Sequence, residues 1–236
     1  MPTPDQMVVT AAQAELRPLG LQRHKRTRIW VEDRGWWLLF AEFERAGAET
    51  HVGVGVTWLW SGTASVSYDL GGRLYWREET GDFATEHPRD GHTWVRSIHY
   101  ADDGQFSTGL KQITGIVRRR VEQLRQEITT PAYVARLLSA PQSRVGATSW
   151  WHTFHTGAAA GLSGDTELAR RQFARIRPDR MAEGWERDLG RRAAALLALA
   201  DDPPELYRRL SADISETRSR LGLPETPPGT PPEPQW

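Results

Sequence analysis

The chain contains no cysteine. That absence excludes disulfides, thiolate zinc sites, iron–sulfur clusters and cysteine nucleophiles together. Lysine is nearly missing as well: Lys25 and Lys111 are the only lysines among 30 lysine and arginine side chains. Arginine forks suit carboxylate and phosphate, but a GC-rich genome that favours Arg codons produces the same bias with no ligand. Charge of one sign is also lacking. Thirty acidic side chains balance the thirty cations, for a formal net charge of +0. A nucleic-acid binder usually carries a basic excess, so nucleic acid is not an expected partner. No run approaches the roughly 18 apolar residues of a membrane span, so a membrane is not expected either. The start, "MPTPDQMVVTAAQAELRP", has no basic stretch followed by an apolar block, which predicts no secretory signal and a cytoplasmic protein. Catalytic signatures are missing too. "GVGVTW" fits neither G-x-G-x-x-G nor G-x-x-x-x-G-K-[ST]. No G-x-S-x-G elbow occurs, and "GLSGD" puts Ser163 in a turn between helices, the wrong setting for a nucleophile.

What is present reads as a globular protein. The 236 residues are 39% hydrophobic and 25% charged, with 11 tryptophans, enough for one large domain or two small ones. Thr3, Pro4 and Gln6 form a capping-box start for a helix ended by Pro18 and Gly20. Period-two runs follow: a basic strand over 21–33, a second over 36–45 after the Asp33-Arg34-Gly35 turn, and a third through "THVGVGVTWLW". A fourth is expected over 64–70, a short one near 74–76 and a last over 93–100. Short connections predict antiparallel pairing. After Tyr100 the period changes. Phe106, Leu110, Ile113, Val117, Val121, Leu124 and Ile128 step by three or four, which predicts a long helix capped by Asp102 or Asp103. From there to about Leu221 the pattern is helical, and "PETPPGTPPEPQW" is a proline-rich tail. Strands segregated from helices mean α+β: an N-terminal helix, an antiparallel sheet of about 4–6 strands covered by the long helix, then a helical C-terminal half. The expected divisions are a sheet domain at 1–128, helical hairpins at 129–222 and the tail at 223–236.

The third strand poses the chief question. Gly53 and Gly55 lie two apart and bare one of its faces, while Val52, Val54, Val56 and Trp58 load the other. Glycine lets a sheet curve round a helix. It also leaves a trough that a neighbouring aromatic can fill, and Trp36 or Trp37 on the adjacent strand could lie there. Alternatively, a ligand or partner approaches the bare backbone. The expected binding residues are therefore Trp36, Trp37, Gly53, Gly55 and Trp58 of the trough and its strands, together with His92 and His99 from the irregular segment 77–104.

Other clusters carry less. Glu86, His87, Asp90, His92, His99, Asp102 and Asp103 could bind a metal or transfer protons, but their spacing matches no ligand pattern such as H-E-x-x-H. His152 and His155 share a helix face without a nearby acid and read as packed or surface histidines. Arg118, Arg119, Arg120 and Arg125 read as the solvated face of the long helix. No catalytic residue, cofactor or metal site is expected.

Two resemblances extend this reading. Gly157, Gly164-Asp165, Ala169 and Phe173 resemble the small-residue and turn positions of a tetratricopeptide-type hairpin at about 150–177, although Thr166 replaces the usual aromatic; this implies close helix–helix packing. The basic strand ending at Trp30, the Gly35-Trp36 turn and the Val/Gly strand resemble the opening of an uncharacterised bacterial family of domains of unknown function. It spans about the first 100 residues and implies an α+β fold with no established activity. The expected function is a non-catalytic binding protein, accessory, regulatory or of immunity type, recognising a protein or peptide. The runner-up is an enzyme or small-molecule binder with a His/Asp site in 77–104.

Overall fold

The computed structural model describes residues 2–86, 88, 90, 92–140, 150–177, 179 and 184–225. His87, Pro178 and the proline-rich tail beyond residue 225 lie outside them. The fold is α+β: an N-terminal helix, an antiparallel sheet, then helices. Contacts divide the chain into two compact units, one of Met1–Thr57 with Val66–Glu127, the other of Trp58–Ser65 with Ile128–Trp236.

The first unit begins with α1 (Pro4–Leu16), whose start is the predicted capping box: Thr3 Oγ1 accepts from the Gln6 amide and the Gln6 side chain accepts from Thr3 N–H. A 3-10 turn at Arg17–Leu19 ends on Gly20 in the left-handed region, φ 87°. The run 21–33 is not one strand. It folds into β1 (Gln22–Arg23) and β2 (Ile29–Asp33), paired antiparallel across a turn in which His24 N–H donates to Ile29 O and Lys25 adopts φ 52°. Polar "HKRT" has no apolar side chain to hold it against the sheet, so it turns instead. Strands β3 (Trp37–Ala46) and β4 (Glu49–Trp58) follow, the first close to its expected bounds. The stretch 64–69 is not a strand, because Asp69 N–H and Thr57 capture it as a return segment. The strand β5 covers only Leu70–Arg73.

The strands β6 (Tyr75–Trp76) and β7 (Phe83–Ala84) make a separate hairpin. The expected strand 93–100 is interrupted because its two ends have different partners: Val95 bridges Trp76, whereas β8 (Ser97–His99) pairs with Glu49–His51 of β4. The main sheet therefore runs β1-β2-β3-β4-β5, with β8 also on β4.

One face of this sheet is covered. Helix α2 (Asp103–Glu127) starts where Gln105 N–H donates to Asp102 Oδ1, and it packs against α1, β3 and β8. Its stripe Phe106, Leu110, Ile113, Val117, Val121 and Leu124 is buried, as are Val52, Val54 and Val56 of β4 and Leu39, Ala41 and Phe43 of β3. Each buried Val, Leu, Ile or Phe side chain contributes about 1.5–3 kcal/mol. Gly109 permits the approach of α2 to β8, since a Cβ there would meet Ile98 Cγ2 at 2.8 Å. The arginines of α2 do more than face solvent: Arg125 donates to Glu32 and to Leu19 O, Arg118 pairs with Glu15, and Arg119 donates to Gly81 O. The helix is flanked by loops whose carbonyls and acids need donors, so the polar side of its stripe is drawn into tertiary contacts.

The second unit holds α3 (Pro131–Ser139), α4 (Trp150–Leu162), α5 (Thr166–Arg175), α6 (Gly184–Leu197) and α7 (Pro203–Leu221). Thr130, Asp165 and Asp202 cap α3, α5 and α7, and Gly222 at φ 73° closes α7. Helix α4 is its centre, buried from Thr153 to Leu162. Gly157 lies against the Phe173 ring and Gly161 against Leu206 and Leu210, where a Cβ would come within 2.8–3.0 Å. The segment 58–65 carries a 3-10 turn, Leu59–Ser61, pinned by Arg192, which donates to the carbonyls of Trp60 and Ser61 and pairs with buried Asp213. Trp60 Nε1 donates to His155 Nδ1 at 3.2 Å. The strand expected to run to Trp60 thus stops at Trp58.

Candidate functional site

The glycine face of β4 is neither empty nor covered by a tryptophan. The ring over it is Tyr68. A Cβ on Gly53 would sit 2.1 Å from the Tyr68 hydroxyl oxygen and 2.8 Å from Cζ; a Cβ on Gly55 would sit 2.6 Å from Tyr68 Cδ1. The two glycines are the seat of this ring, and no other residue could occupy either position without moving it. The third residue of the strip explains how the ring arrives there. Thr57 Oγ1 donates to Ser67 O at 2.7 Å and accepts from Ser67 N–H at 2.9 Å. This reciprocal pair, with Asp69 N–H donating to Val56 O, folds the returning chain across the strand and delivers Tyr68 onto the bare backbone.

The surroundings follow from the register. Val31 pairs with Phe40 and Ile29 with Glu42, while Gly53 pairs with Arg73. Alternation puts Val31, Phe40, Glu42, Glu44, Gly53, Gly55 and Arg73 on one face. Phe40 and Tyr68 are 4.7 Å apart between ring centroids, tilted by 55°. The Tyr68 hydroxyl donates to Glu42 Oε2 at 3.0 Å, and Arg73 donates to Glu44. Burial pushes the Tyr68 pKa above the usual phenol range, and the adjacent Glu42 carboxylate, which accepts its proton, adds to the shift. Tyr68 nevertheless remains 38% exposed, one of two large hydrophobic side chains with such exposure among the described residues. The result is a patch with an aromatic centre, half-buried Ile29 and Val31 at one side, and Glu42, Glu44 and Arg73 around it.

Most of the expected site residues lie elsewhere. Trp36, Trp37 and Trp58 are interior side chains, 4%, 2% and 0% exposed, so they contribute packing and not surface. His99 is exposed on β8 opposite Glu49, and His92 is exposed with its N–H donating to Asp90. The acids of that segment are committed locally: Asp90 also accepts from Trp94 Nε1, Asp102 caps α2 and Asp103 accepts from the Tyr100 hydroxyl. No group of three or more His, Asp or Glu that could hold a metal ion is found among the described residues. His152 Nε2 contacts Leu138 O at 2.7 Å, and buried His155 stacks on Trp151. Sequence reasoning missed Tyr68 because it assigned 64–70 to a strand. The available signal was "SYDLGG": a lone aromatic beside two glycines, of which Gly71 adopts φ 88°.

Comparison with protein-family models, with characterised proteins and with solved structures finds no match to this chain.

Proposed function

We propose that this chain is a non-catalytic recognition module, an accessory or regulatory protein of the cytoplasm that binds a protein or peptide segment through the Tyr68 face. The single observation behind this reading is the seating of an exposed tyrosine on a strip of backbone stripped of side chains for it. Tyrosine is a favoured anchor at interfaces because its ring offers large area at small entropic cost and its hydroxyl fixes direction. The acidic side chains Glu42 and Glu44 outnumber Arg73 around it, so the complementary segment carries an arginine or lysine beside an apolar residue. The even overall charge supports a partner other than nucleic acid. No helix among the described residues is long and apolar enough to cross a membrane.

Peptide display against the immobilised protein tests this. Peptides with a cation next to an apolar residue should be enriched. Enrichment should vanish for the Tyr68→Ser/Glu44→Lys double variant, whose fold is verified by circular dichroism. No enrichment, or enriched peptides that bind the variant equally well, contradicts the proposal.

A further inference from the structure

A second feature lies in the same unit, away from Tyr68. A cleft of about 430 Å³ opens between α2 and the chain entering and leaving β7, with Gly81, Asp82 and Phe83 on one wall and Arg119, Arg120 and Gln123 on the other. We infer that this cleft is an oxyanion site, taking inorganic phosphate or the phosphoryl group of a small metabolite.

The two guanidinium groups are prepared in different ways. Arg119 is oriented: its Nη2 donates to Gly81 O at 2.6 Å and its guanidinium carbon lies 5.8 Å from the centre of the Phe83 ring. Gly81 has φ 70°, and a Cβ there would stand 3.3 Å from that same Nη2, so the glycine permits the approach. Arg120 is desolvated. Its side chain is 15% exposed, and its Nε is buried with no hydrogen-bond acceptor among the described residues. Glu127 lies 3.6 Å from Nη1, within ion-pair reach but beyond a hydrogen bond, and Gln123 Oε1 accepts from Nη1 at a long 3.4 Å. Burial holds the Arg120 pKa below the usual arginine range, with Glu127 opposing.

The Arg120 guanidinium is stripped of most of its water and its contacts to Glu127 and Gln123 are long, so a bound oxyanion offers it a closer acceptor. Successive helix positions project about 100° apart, so the two guanidinium groups reach a common ligand from different directions. A tetrahedral oxyanion accepts donors from several directions, whereas a carboxylate takes one fork in its own plane. The opposing acid of the cleft, Asp82, is 64% exposed and accepts from Thr80 Oγ1 at 2.6 Å, with Arg77 at 4.0 Å. The cleft overlaps the irregular 77–104 segment but uses none of its histidines.

Titration calorimetry of the full chain at constant ionic strength, with sodium phosphate, pyrophosphate and acetate in separate arms, tests the site. Phosphate or pyrophosphate should give saturable binding that protects the fold against heat, acetate should give none, and tighter binding of pyrophosphate than of phosphate would identify a phosphorylated metabolite as the fuller ligand. Exposed Arg119→Gln and desolvated Arg120→Gln should each weaken binding by about tenfold or more. If Arg120→Gln fails to fold, Arg119→Gln carries the test alone. No saturable binding of either phosphate species, unchanged binding in the Arg119 variant, or equal binding of acetate overturns the assignment.

Discussion

The two faces of one sheet are built on opposite plans. On the valine face, Val52, Val54 and Val56 are buried, as is the apolar stripe of α2, which packs against β3 and β8 of the same sheet. Many small contributions of the same kind hold that face, and none depends on the position of a single atom. The glycine face is emptied first and then refilled by one ring, brought in by a two-bond clamp between Thr57 and Ser67. A face built from many apolar contacts tolerates shape changes but not charge. A face built round one ring tolerates charge at its rim but no added atom at its seat. The first plan gives a core; the second gives a surface whose centre is fixed and whose edge is free to choose a partner.

The comparison can be broken most severely at the covered face. Val117→Asp places an unpaired carboxylate in the fully buried stripe of α2 and should cost several kcal/mol, read as loss of the cooperative urea transition or as insoluble protein. A midpoint equal to the parent's would mean that α2 does not cover the core. On the other face, Gly55→Val meets Tyr68 Cδ1 at 2.6 Å, Leu70 O at 2.8 Å and Phe40 Cζ at 3.1 Å. Of these the two rings can shift but the Leu70 carbonyl cannot, so overpacking should cost about 1–3 kcal/mol in the same assay. Stability that held or rose would restore the reading of an open groove, since valine suits a strand better than glycine.

Tyr68→Phe keeps the ring and removes the hydroxyl that donates to Glu42, for a loss of about 1 kcal/mol at neutral pH. The sign with pH follows from the raised pKa. The folded state retains the phenolic proton to higher pH than the unfolded chain does, so this contribution is present below about pH 10 and is lost as pH rises further. Tyr100, raised by its hydrogen bond to Asp103, contributes a decline of the same sign. The fall in stability above that pH should therefore be shallower in Tyr68→Phe than in the parent, and an unchanged slope would detach the hydroxyl from Glu42. The smallest effect belongs to the rim. Glu44→Lys removes an exposed pair with Arg73 and should change stability by about 0–1 kcal/mol while altering the peptides selected.

The valine face was legible in the sequence because it rests on periodicity. Steps of three and four along α2 and of two along β4 survive folding, and Thr3 and Asp102 announce helix starts through side-chain chemistry that is local. The bared face was half legible. That Gly53 and Gly55 make room could be read from the strand, but not for which ring, since Trp36 and Trp37 lie nearer in expected space than Tyr68. The covering residue depends on how a non-strand segment returns, and that is decided by Thr57 and Ser67 across a chain excursion no periodic pattern encodes. The arginines of α2 were misjudged for a related reason: their partners Glu32, Glu15 and Gly81 are remote in sequence.

Whether the glycines exist to seat Tyr68 is decided by a double-mutant cycle on Gly53→Ala and Tyr68→Ala. In the parent, the new methyl displaces the ring's hydroxyl end, and Gly53→Ala should destabilise by about 1 kcal/mol or more. In the Tyr68→Ala background the nearest remaining neighbour of the methyl is Gly72 O, at 3.1 Å, which needs a shift of only a few tenths of an ångström, so alanine should cost much less than in the parent. The account predicts a coupling of about 1 kcal/mol or more between the two sites, measured by urea unfolding. Equal costs of Gly53→Ala with and without the ring would contradict it.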